Sequence, residues 1–60
     1  MTEIIGKTEN EAKTLLLEQG QTLRVIEKDG EPYIFTADYW DNRVNVKVEE
    51  NKVLEVIFVG

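Results

Sequence analysis

Sixty residues carrying 12 acidic and 7 basic side chains give a formal net charge of −5, and the chain contains neither His nor Cys. This composition excludes a disulfide framework, the ordinary structural zinc sites, haem ligation by His, and the Ser-His-Asp and Cys-His nucleophile pairs. The acidic balance opposes binding to nucleic acid or anionic membrane, and the 42% apolar content fits one small globular domain, residues 1–60, with a compact core.

The start, Met1-Thr2-Glu3-Ile4-Ile5-Gly6-Lys7, has no basic stretch leading into an apolar one and does not read as a signal peptide. The protein is expected in the cytoplasm as written, or secreted if a leader has been removed. The longest apolar run, Leu15-Leu16-Leu17, is too short to span a bilayer. Thr8 followed three residues later by Glu11 is a capping box, and it predicts a helix over Glu9–Glu18. Ala12, Leu15, Leu16 and Gln19 recur at helical spacing and mark its inward stripe. Ile5 is expected to fold back onto Ala12, Leu17 to stay half exposed off the stripe, and Gly20 to close the helix in a left-handed conformation.

Thr22–Lys28 alternates apolar and polar apart from Ile26, which predicts a strand with Leu23 and Val25 inward. Asp29-Gly30 reads as a turn, and neither an EF-hand nor a phosphate-binding loop surrounds it. Arg43–Glu49 is the cleanest strand: Val44, Val46 and Val48 are expected to face the core, and Arg43, Asn45 and Lys47 to face out. Glu50-Asn51-Lys52 reads as a solvated turn. Val53–Val59 forms the last strand, with Leu54, Val56 and Phe58 as one apolar set and Val53, Ile57 and Val59 as the other, a pattern that predicts a central strand or one covered on both sides.

Between these strands, residues 30–42 make a connection of thirteen residues that holds four of the five aromatic side chains. A median loop has about 4–6 residues. Two readings are open: a strand and turn whose rings fill the core, or a loop the protein uses. Tyr33 and Phe35 could pack beneath such a loop. Trp40 suits either a hinge or an interface anchor, and partial exposure is expected because Asp41-Asn42 beside it reads as a turn.

The segment and its flanks resemble a known family. Ile5-Gly6-Lys7-Thr8 with Glu11-Ala12-Lys13 is similar to the opening of the potato inhibitor I family, which leads into its helix with Val/Ile-Gly-Lys-Ser/Thr. Thr36-Ala37-Asp38-Tyr39 resembles that family's Thr-X-Asp/Glu-Tyr reactive-site loop. Arg43-Val44 lies seven residues beyond Thr36, where the family has Arg-Val, and the ending Glu55-Val56-Ile57-Phe58-Val59-Gly60 is close to the family's own. Tyr39 to Val46 also resembles the Tyr-X-X-X-Arg-Val/Leu-Asn-Val stretch of small bacterial relatives. The likeness covers Ile5 to Gly60 in order, with one residue added near Asp29-Gly30-Glu31.

The resemblance implies an α+β fold, one helix packed on a small mixed β-sheet with a projecting extended loop. It implies a serine protease inhibitor in which Ala37 enters the primary specificity pocket and Ala37–Asp38 is the scissile bond. Ile34, Phe35 and Thr36 would occupy the preceding subsites, and Asp38 and Tyr39 the leaving side. It also implies that Arg43 supports the loop from the strand beneath, near Thr36 or Asp38. The family's second supporting Arg is Asn45 here, which is shorter and neutral. A small Ala37 suits subtilisin-like or elastase-like enzymes. The alternative is a non-inhibitory module of the same fold that grips a cytoplasmic partner through the aromatic loop or a strand edge. No enzyme activity, metal or cofactor is expected, and the protein is expected to be a monomer that binds a protein partner.

Overall fold

The computed structural model describes residues 2–60 and shows an α+β fold in which one helix packs on a four-stranded mixed sheet. Helix α1 runs Glu9–Glu18. Its capping box is complete: the Glu11 N–H donates to Thr8 Oγ1 at 3.2 Å, and the Thr8 N–H donates to Glu11 Oε1 at 3.0 Å. The backbone hydrogen bond from Thr8 holds the Glu11 carboxyl below its ordinary range. That contribution is therefore present above the ordinary carboxylate pKa and is lost only as the pH falls through the depressed value. At the other end Gly20 has φ +75. The Gly20 N–H donates to Leu17 O and the Gln21 N–H to Leu16 O, at 3.0 and 2.8 Å, which is the paired Schellman closure.

Ala12 and Leu16 are fully buried and Leu15 packs against them, as the stripe predicts. Gln19, on the same stripe, is exposed, and its Nε2 donates to Glu3 Oε1 at 3.1 Å. The residue that closes the core before the helix is Ile4, not Ile5. A short 3-10 helix over Thr2–Ile4 turns Ile4 inward to full burial and leaves Ile5 exposed.

The strands are β1 (Thr22–Lys28), β2 (Glu31–Pro32), β3 (Arg43–Glu49) and β4 (Lys52–Val59), ordered β2-β1-β3-β4. β1 pairs antiparallel with β2 through the two-residue turn Asp29-Gly30, both at positive φ, and parallel with β3. The β1–β3 register shifts between Val25 and Glu27. Ile26, the residue that broke the alternation, is thus the extra residue of a bulge. β3 and β4 form a hairpin closed by Glu50-Asn51, again both at positive φ. Across β1 and β3 the register partners Glu27 and Lys47 form an ion pair at 3.1 Å, and the hydrogen bond that Lys47 Nζ donates to Glu27 raises the Lys47 pKa.

Two expectations about β3 and β4 are corrected. β4 is an edge strand rather than a central one, and its inward set is Val53, Val56 and Val59, opposite Val48, Val46 and Val44. Two register shifts make Leu54 and Ile57 the unmatched residues, both exposed, so the inward side chains recur every third residue instead of every second. Arg43 and Asn45 do not face solvent. They lie on the sheet face away from the helix at 7% and 0% exposure, because the 33–42 loop and the end of β4 cover that end of the sheet.

Replacing Thr8 with Ala removes one side of the capping box. It is expected to lower unfolding stability by about 1 kcal/mol, read as a shift in denaturant midpoint at unchanged m-value.

Candidate functional site

The parallel pairing of β1 with β3 dictates what the loop must do. Pro32 lies beside Glu27, and Arg43 lies beside Thr22. The chain must therefore travel back along five residues of β1, about 17 Å at strand rise. Residues 33–42 do this without a helix. Ten residues can reach about 33–36 Å when extended, so the surplus lifts the segment off the sheet as an arch.

The arch is tied at its feet. The Tyr33 N–H donates to Ile26 O at 2.8 Å, the Thr22 N–H donates to Asn42 O at 2.8 Å, and Asn42 Nδ2 reaches Gly20 O at 3.3 Å. Among the described residues, the backbone N–H groups of residues 34–39 donate to no backbone carbonyl. None of these N–H groups is tied to the sheet.

Two guanidinium groups hold the span. Arg43 Nη2 donates to the Asp38 carbonyl oxygen at 2.7 Å, its Nη1 lies 3.4 Å from Asp38 Oδ2, and its guanidinium carbon stands 4.9 Å over the Trp40 ring. From below, Arg43 Nε donates to the Gly60 backbone oxygen at 2.7 Å. Arg24 does the same for the other arm. Its guanidinium carbon is 4.8 Å from the Phe35 ring centroid, and its Nη1 is 3.5 Å from Thr36 Oγ1. The Thr36 hydroxyl donates to Asp38 Oδ1, a bridge over Ala37.

Among the described residues, none of the hydrogen bonds of Asn45 goes to the loop. Its Oδ1 accepts from Arg24 Nε at 2.5 Å, and its Nδ2 donates to Phe58 O at 3.2 Å and Gly60 O at 3.1 Å. It acts as a buried post for Arg24.

The structure brings Thr36, Ala37, Asp38, Arg43 and Asn45 into one connected group. Ile34 is wholly exposed and Tyr39 largely so. Phe35 is turned back onto the protein, with its ring centroid 6.2 Å from that of Phe58, so it anchors the arch from within. Trp40 is half exposed, consistent with its place over Arg43. Sequence reasoning missed Arg24 and Gly60. The one signal for Arg24 was its outward position in a strand whose neighbour carries Asn45.

The Thr36 hydroxyl, followed by the Arg43 charge, lowers the Asp38 pKa. Among the described residues no group of three His, Cys, Asp or Glu side chains is placed to hold a metal, and no helix is long and apolar enough to cross a membrane. A comparison with protein-family models found no match, and a search of curated proteins found none either.

A depressed Asp38 pKa fixes a pH dependence. The carboxylate's hold on the arch is complete above the ordinary carboxylate range and is lost as the pH falls through the depressed value. Following the Asp38 carboxyl carbon by NMR is expected to give a midpoint below that of a free aspartate, and Thr36→Val is expected to move it upward. An unmoved midpoint in Thr36→Val contradicts the bridge.

Proposed function

We propose that the protein is a serine protease inhibitor of the potato inhibitor I type, binding in a substrate-like manner with Ala37 in the primary specificity pocket. The observation that carries the reading is the 2.7 Å bond from Arg43 to the Asp38 carbonyl. It ties down the first residue beyond the Ala37–Asp38 bond from a guanidinium that is itself buried and bonded to Gly60. Among the described residues the N–H groups of residues 34–39 have no backbone acceptor within the protein, which supports strand-like addition to a protease. The exposure of Ala37 and Ile34 supports contact through these side chains.

Inhibition follows from restraint. A flexible peptide loses conformational entropy on binding, whereas a loop held in shape has lost it already. If the protease acylates Ala37, the amine released on Asp38 stays beside the acyl carbonyl under the Arg43 bond. A tethered amine has a high effective concentration, so re-formation of the peptide bond competes with hydrolysis. The small Ala37 side chain favours subtilisin-like or elastase-like pockets. The partner is then a secreted or cellular serine protease in a one-to-one complex of about 1,600 Å².

Residual activity of subtilisin-, elastase- and chymotrypsin-type enzymes against micromolar protein tests the reading. Inhibition of at least one of the first two is expected. An unaffected panel, or rapid cleavage that consumes the protein as a plain substrate, overturns it. Ala37→Leu is expected to tighten inhibition of subtilisin- and chymotrypsin-type enzymes about tenfold or more, since burying a leucine side chain contributes about 1.5–3 kcal/mol. Arg43→Ala removes a charge-assisted bond of about 1.5–3 kcal/mol and is expected to speed cleavage at Ala37–Asp38 about tenfold or more.

A further inference from the structure

Arg24 lies outside the segment that resembles a reactive-site loop, yet it is placed to do for one arm of the arch what Arg43 does for the other. Arg24 and Asn45 are register partners on the parallel strands β1 and β3, so their side chains leave the sheet side by side on one face. Asn45 is fully buried, and its Nδ2 is committed to two backbone oxygens of β4's end, Phe58 O and Gly60 O. This fixes the direction of its Oδ1, which receives Arg24 Nε. With Nε held, the planar guanidinium has one orientation left: its face lies over Phe35 and one edge nitrogen points at Thr36.

We propose that Arg24 is a positioning residue for the arm of the loop before Ala37, and that Asn45 sets its aim. Arg24 fixes Phe35 and Thr36, the residues before the Ala37–Asp38 bond. Arg43 fixes Asp38 and Trp40, the residues after it. Each arginine stacks on one loop aromatic and donates to one loop residue, and both are anchored through Gly60 O, Arg43 directly and Arg24 by way of Asn45.

The fork is essential to this role. A guanidinium donates from Nε and from Nη1 in fixed relative directions, so bonding to Asn45 at one site aims the other at Thr36. A lysine ammonium at position 24 would keep the charge but not the coupling between post and target. The assignment rests on the inhibitor reading for its kinetic consequence only. The geometric consequence belongs to the free protein.

The experiment compares the wild-type chain with Arg24→Ala and Arg24→Lys by backbone 15N relaxation of the free protein, and in parallel by inhibition of a subtilisin-type protease. In both variants the amides of residues 34–36 are expected to become mobile on the nanosecond scale, while the amides of residues 40–49 keep wild-type order. In the protease arm, both variants are expected to bind about tenfold more weakly, the equivalent of about 1.4 kcal/mol. Wild-type order at residues 34–36 in Arg24→Ala overturns the proposal, and so does full rescue by Arg24→Lys, because charge alone would then suffice. If the wild-type chain inhibits no protease, the inhibitor reading fails, while the relaxation data still decide the role of Arg24.

Discussion

The backbone oxygen of Gly60 is the point on which the face opposite the helix is built. It accepts from Arg43 Nε at 2.7 Å and from Asn45 Nδ2 at 3.1 Å, and Gly60 is itself held in place because its N–H donates to Arg43 O at 2.9 Å. A guanidinium with 7% of its residue exposed costs several kcal/mol to bury unless it is bonded and paired. Here Gly60, the Asp38 carbonyl and the Asp38 carboxylate meet that demand. The end of β4 thereby orients a cation on β3, and the cation holds the arch. Asn45 passes the same constraint sideways to Arg24 on β1.

The magnitudes explain why so much is concentrated on one short span. Fixing one backbone residue costs about 1–2 kcal/mol, so holding the six residues 34–39 costs about 6–12 kcal/mol. Their backbone N–H groups have no backbone acceptors to offset it. Charge-assisted hydrogen bonds contribute about 1.5–3 kcal/mol each. Two arginines, each also stacked on a ring, supply stabilisation of the same order. Under the proposed function, that ordering is achieved when the protein folds, so it does not weaken binding when a protease arrives. The three-residue core spacing of β4 leaves Phe58 on the far side of the sheet, where it meets Phe35. The register shift at Ile57 therefore helps seat the loop.

Much of the fold was legible because local chemistry dictated it. The Thr8–Glu11 box, Gly20, the Asp29-Gly30 turn and the Val44-Val46-Val48 alternation each specify their element without help from distant residues. The edge position of β4 was not legible: its apolar residues on both sides come from two register shifts, which alternation alone does not reveal. The facing of Arg43 and Asn45 was misread for a related reason. Alternation assigns a face but not what covers it, and the cover comes from the arch and from the end of β4. Of the candidate site, Thr36, Asp38 and Arg43 were found through a resemblance between short motifs. Arg24 escaped because its partner Asn45 is 21 residues away, joined to it only by the parallel register of β1 and β3.

The most direct test of the account starts from the broken loop. Protein nicked at Ala37–Asp38 and purified free of intact chain is returned to catalytic amounts of a subtilisin-type protease, and mass spectrometry follows the intact mass. If the two arms stay fastened beside each other, the peptide bond re-forms and a stable fraction of intact protein accumulates from nicked material. If the mixture stays entirely nicked, the arms do not hold the ends together, and the restraint on which the whole account depends is absent.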